Sequence, residues 1–163
     1  MDFLLSVQLH FTINRINKHS FLQLADTVLP SLLLGQIIGR WGNYINQEAF
    51  GNLITNPKLQ FFPYGVYIEA LGEWHQATFF YESVLNVLLL VVMLTVYSKF
   101  KVRGILLPIY MIGYGAIRFL VEGLRTDSLY IMPGMRISQV FSLILIPCGI
   151  LLLGLIWKRE KKR

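Results

Sequence analysis

From Gly39 to Gly51 the chain reads Gly-Arg-Trp-Gly-Asn-Tyr-Ile-Asn-Gln-Glu-Ala-Phe-Gly. Such a concentration of polar groups and glycines suits recognition of an anion. The guanidinium of Arg40 is a planar fork matched to a phosphate. Asn43 and Asn46 can donate to ester or phosphate oxygens, and Glu48 can hold the arginine in place. Glycine and asparagine suit a backbone leaving helical geometry, where N–H groups gather around a ligand. The same residues also suit an interfacial loop with one snorkelling arginine. A second charged group lies further on. Arg118 and Glu122 are four apart, one above the other on a helix face, as are Tyr114 and Arg118. They suit either a site facing a protein interior or a structural ion pair joining helices. Arg125 and Asp127 follow nearer the helix end, where solvated charges are common.

The elements that position these groups belong to a membrane. Of the 163 residues, 55% are apolar and only 15% charged, against roughly 45–50% and about 25% in soluble domains. The mean hydropathy is +0.55. Phe21–Gly39 carries one acid, Asp26, and Ser83–Ser98 carries no charge, with Ala77–Glu82 extending it. Gly104–Leu124 carries only Arg118 and Glu122, and Ile137–Trp157 carries none. A helix needs about 20 apolar residues to cross a hydrocarbon core of ~30 Å. The expectation is an all-α integral membrane protein of about four transmembrane helices, with a polar extracytoplasmic loop after the first. No internal repeat or low-complexity tract is present.

Basic residues set the orientation. Arg15 and Lys18, then Lys99, Lys101 and Arg103, then Lys158–Arg163 all fall on one side if both chain ends are cytoplasmic. Arg40–Thr78 and Arg125–Arg136 then lie outside. This placement accounts for the net charge of +6 without nucleic acid. The single cysteine, Cys148, excludes an internal disulfide and a multi-cysteine metal site. It reads as a buried structural thiol, His75 as a surface histidine, and Gly35 with Gly39 as a helix-packing pair. Residues 1–20 do not fit a signal peptide.

The polar stretch also carries a resemblance. Arg40, Gly42, Asn43, Asn46, Glu48 and Gly51 match, in register, the signature of the prolipoprotein diacylglyceryl transferase family, with Tyr44 where Phe is usual. Thr78-Phe79-Phe80-Tyr81-Glu82 resembles a second family stretch, with Ala77 in place of its proline. Tyr114 to Asp127 resembles a third. The similarity runs from about Phe21 to Trp157. It divides the chain into a poorly matched segment at 1–20, a transferase-like domain at 21–157 and a basic cytoplasmic tail at 158–163.

The resemblance implies transfer of the diacylglyceryl group of phosphatidylglycerol to the lipobox cysteine of prolipoproteins, a step of bacterial lipoprotein maturation in the cell membrane. Its partners are phosphatidylglycerol, prolipoprotein signal peptides and membrane lipids. Neither cofactor nor metal is expected. Arg40, Asn43, Asn46, Glu48 and Gly51 would hold phosphatidylglycerol. Arg118, oriented by Glu122 and Tyr114, would act on the leaving phosphate or the thiol. The family also has upstream helices with a His-Gly-Gly stretch. Here His10, His19 and His75 do not precede two glycines, so an incomplete gene, a frameshifted start or a truncated paralogue is expected. The alternative function is a catalytically inactive lipid-binding or assembly component. A small transporter would show paired broken helices, and no such pairing is present.

Overall fold

The computed structural model describes residues 21–100, 102–126, 130–132 and 135–161. Four helices form the bundle: α1 (Phe21–Ile45), α2 (Thr78–Phe100), α3 (Leu106–Leu124) and α4 (Ile137–Glu160). All four are long and apolar enough to cross a membrane. At 1.5 Å per residue, the 25 residues of α1 reach about 37 Å, more than a hydrocarbon core requires. Residues 1–20, Lys101, Asp127, Lys162 and Arg163 lie outside the described residues.

The polar segment after α1 holds a small antiparallel hairpin, β1 (Gly65–Ile68) and β2 (Glu73–Gln76), with Val66 opposite His75. A shorter pair, β3 (Tyr130–Met132) and β4 (Met135–Arg136), precedes α4. Both hairpins sit in connections, so the spanning part is entirely helical, as the absence of water in lipid demands.

Neighbouring helices pack antiparallel around Leu33, Met93, Leu106 and Val121. The buried face of α2 runs Phe79, Glu82, Ser83, Asn86, Leu89 and Met93, a three-to-four spacing that keeps one stripe inward. Small residues let the helices approach. A Cβ on Gly113 would stand 2.3 Å from Leu89, and one on Gly149 would stand 2.8 Å from Ile112. The packing expected of Gly35 and Gly39 is not found there: a Cβ on either would meet nothing within 4 Å. Cys148 is also not buried. It lies on a face of α4 that is apolar towards its surroundings, so exposure costs it nothing in lipid.

At the end opposite the hairpin, one carboxylate ties α1 to α3. Asp26 accepts from the backbone N–H groups of Gly104 and of Leu106, the latter at 3.0 Å. These donors open a helix and lack intrahelical partners, so an acid there both pairs them and suits the helix dipole. Gly104 has φ +83°, and a Cβ there would stand 2.6 Å from Leu22. Only glycine meets both conditions.

Candidate functional site

The charged residues of three helices converge at the hairpin end. Arg40 projects from α1 and Arg118 from α3. Both reach the carboxylate of Glu82 on α2: Arg40 Nη2 lies 3.0 Å from Oε1, and Arg118 Nη1 lies 3.3 Å from Oε2. Arg118 Nη2 continues to Glu122 Oε2 at 2.9 Å and to Ser138 Oγ of α4 at 3.3 Å. The result is a line of alternating charge, Arg40–Glu82–Arg118–Glu122, spanning the bundle. Glu82 and Glu122 are buried, and the two arginine side chains are a little under one-fifth exposed. A charge inside a membrane is tolerated when paired and turned inward, and each of these four is both. Glu82 Oε1 and Glu122 Oε2 lie close to a guanidinium but off its hydrogen-bonding directions.

Glu82 is the residue that sequence reasoning missed. Glu48 was expected to hold Arg40, being close in sequence. It is instead exposed and accepts from Asn46 Nδ2 at 3.1 Å, while Arg40 turns inward to Glu82. A charge count was the available signal: two arginines in the spans call for two acids, and Glu82 is the acid within reach besides Glu122.

The backbone also departs from expectation. Gly39 and Gly42 stay inside α1, which continues to Ile45. The chain leaves the helix through Gln47 and Ala49, with φ of 51° and 55°. Asn43 lends its carbonyl to the N–H of Glu48 at 2.9 Å, closing that turn. Thr78 Oγ1 donates to the carbonyl of Ala49, and the Gln47 side chain accepts from the N–H of Glu69 at 2.8 Å. Tyr44 stacks on Phe79 with centroids 5.0 Å apart.

Gly51 is where the stretch meets both the hairpin and α3. Its N–H donates to Gln76 O at 2.9 Å, and its backbone bridges to Arg125. His75 Nδ1–H donates to the Gly51 carbonyl at 2.9 Å, with the ring against Phe50. His75 is therefore buried, not a surface histidine, because the segment after α1 folds over it. Its Nε2 lies 3.5 Å from Glu73 Oε2.

Deeper in the bundle lies a second polar level. Tyr114 stacks parallel to Tyr110, with centroids 5.2 Å apart, and Tyr110 pairs with Gln36 at 2.9 Å. Asn86, one turn inward from Glu82, is fully buried, with neither amide atom partnered among the described residues. Thus Arg118 meets Glu122 directly and Arg40 joins them through Glu82, while Tyr114 lies one turn along α3 from Arg118, Gly51 pairs with the hairpin and Arg125, and Asn46 and Glu48 remain at the exposed rim. No cluster of three or more metal-binding side chains occurs among the described residues.

Four spanning helices around an inward-facing ion-pair line define a multi-pass membrane protein with a polar site at one end. Residues 3–155 match the model of the family described as prolipoprotein diacylglyceryl transferase, a match that begins ahead of Phe21. The chain belongs to that family. Three relatives carry the name phosphatidylglycerol–prolipoprotein diacylglyceryl transferase. One, from Clostridium novyi, is 40% identical over 88% of this chain and 56% of its own length. A second, from Lysinibacillus sphaericus, is 41% identical over 93% and 57%. A third, from Acaryochloris marina, is 46% identical over 92% and 55%. The chain spans about half the length of the curated relatives it matches.

Proposed function

We propose that this chain transfers the diacylglyceryl group of phosphatidylglycerol to the lipobox cysteine of a prolipoprotein, within the bacterial cell membrane. The observation that carries the proposal is the sharing of Glu82 by Arg40 and Arg118. It places two guanidinium groups beside one another in a dehydrated setting, where they act strongly on a phosphate.

In the reaction, the cysteine sulfur attacks the glyceryl carbon that bears the phosphate ester. A C–S bond forms, the C–O bond breaks, and its electron pair stays on the departing phosphate. The thiol proton leaves with the glycerol phosphate. Negative charge grows on that phosphate in the transition state. Arg40 binds it through the donors that Glu82 does not engage, and Arg118 neutralises the developing charge. Glu82 and Glu122 balance the arginines before substrate arrives and fix their planes, so little reorganisation accompanies the reaction. Asn43, Asn46 and Glu48 shape the rim, and Gly51 holds it against the hairpin. Tyr114 lines the level below.

The test is reconstitution of the chain in phosphatidylglycerol vesicles with a lipobox peptide, read by mass spectrometry. The Clostridium novyi relative, assayed alongside, validates the conditions. A diacylglyceryl mass increment on the peptide cysteine, lost in Arg118→Ala, is expected. Transfer by the relative but not by this chain would overturn the proposal and favour a non-catalytic lipid-binding role.

A further inference from the structure

The end of the bundle opposite the charged site holds a groove of about 690 Å³ that the transfer chemistry does not use. Val96 of α2, Ile105 and Ile109 at the start of α3, and Leu153 of α4 form its walls. Gly154 lies in it, and a Cβ there would meet nothing within 4 Å. The Phe100 and Trp157 rings close one side, edge to face at 6.1 Å. Lys158 and Lys161 complete the lining, while Lys99 leans over the Phe100 ring at 5.8 Å.

The chemistry of these walls changes with depth. The part formed by Ile105, Ile109, Leu153 and Gly154 offers only hydrocarbon and room along α4. The mouth offers two aromatic rings and two ammonium groups. Aromatic residues settle at headgroup level, and lysines there snorkel towards phosphate. Glu160 does not line the groove. Hydrocarbon below and cationic charge above fit one class of ligand.

We propose that this groove binds an anionic phospholipid of the leaflet opposite the charged site. One acyl chain lies along Gly154, and the phosphate sits between Lys158 and Lys161. The site is separate from the Arg40–Glu82–Arg118 line and does not depend on the transferase proposal. Each basic residue at an anionic membrane surface is worth roughly fivefold in binding.

Trp157 lies in the groove and serves as the probe. In a Trp41→Phe/Trp74→Phe background it is the only tryptophan of the original three. The chain is reconstituted in phosphatidylcholine vesicles containing equal fractions of either phosphatidylserine or phosphatidylcholine with brominated acyl chains. Phosphatidylserine is chosen because it is anionic yet differs from the proposed donor. At low salt it should associate at Trp157 at least about fivefold more strongly than phosphatidylcholine, judged by fluorescence quenching. Lys158→Gln/Lys161→Gln, two exposed changes, should bring the ratio close to one. Gly154→Leu should reduce quenching by phosphatidylserine with both lysines in place. Equal quenching by the two lipids in the starting protein would overturn the proposal. Quenching by neither would show that protein fills the groove, and would overturn it too.

Discussion

Arg40 and Arg118, distant in sequence and on different helices, approach opposite oxygens of one carboxylate, that of Glu82. Two cations sharing an anion repel each other across it. The arrangement persists because Glu122 supplies a second negative charge to Arg118. The four charges cancel as a set, and removal of any one leaves a net charge buried in the bundle.

Glu82→Gln should therefore destabilise the protein by about 3–5 kcal/mol, the usual cost of breaking a buried ion pair from one side. Thermal unfolding in nanodiscs measures this. An unchanged midpoint would mean that the arginines find other partners.

Arg40→Lys keeps the charge and loses the fork. Peptide lipidation should fall at least about tenfold, equivalent to ~1.4 kcal/mol in the barrier. Lys58→Arg, on the exposed segment after α1, should leave the rate unchanged. Comparable rates for both variants would assign Arg40 to anchoring alone.

Glycine positions should respond in opposite directions. Gly51→Ala places a Cβ 2.8 Å from that of Gln76 and should cost about 1–3 kcal/mol. Gly35→Ala enters open space within a helix and should stabilise by about 0.5–1 kcal/mol. Melting temperatures of the two variants on either side of the parent would confirm this contrast. A fall for both would show that α1 packs against something at Gly35.

Asn86→Leu replaces an unpartnered buried amide with an apolar side chain of similar size. Relief of its desolvation should raise stability by about 1 kcal/mol or more. A lower melting temperature would show that the amide is paired in the membrane, by water or by ligand.

The helices themselves were legible because each is an apolar run of spanning length between charge clusters. Their ends were less so. The apolar run ends at Gly39, yet a glycine costs a helix only about 1 kcal/mol, less than a bare peptide group in lipid, and α1 continues to Ile45. The turn was then made at Gln47 and Ala49, residues whose types gave no sign of it. Glu48 was favoured for Arg40 by proximity along the chain, whereas the pairing with Glu82 depends on two helices lying side by side. The burial of His75 likewise follows from the fold of the segment around Phe50 and Gly51. Local pattern carries neither fact.

The orientation inferred from the basic clusters has its own test. With Cys148→Ala as background, single cysteines at Lys58 and Lys161 are exposed to a membrane-impermeant maleimide on intact cells. Labelling at position 58 and protection at 161 are expected. The reverse pattern would invert the topology.

The carboxylate of Asp26 gives the two ends of the bundle different freedom to move. There, α1 holds main-chain N–H groups of the turn into α3, and a side-chain rotation that released them would strand buried donors. At the hairpin end, α1 and α3 communicate through side-chain charges on Glu82, which rotamer changes can exchange without stranding a main-chain donor. Side-chain contacts, those of Glu82 and the Gln36–Tyr110 pair, are thus all that must yield for α1 and α3 to part towards the hairpin, whereas parting at Asp26 exposes main-chain donors, which makes Asp26 the fixed point between them.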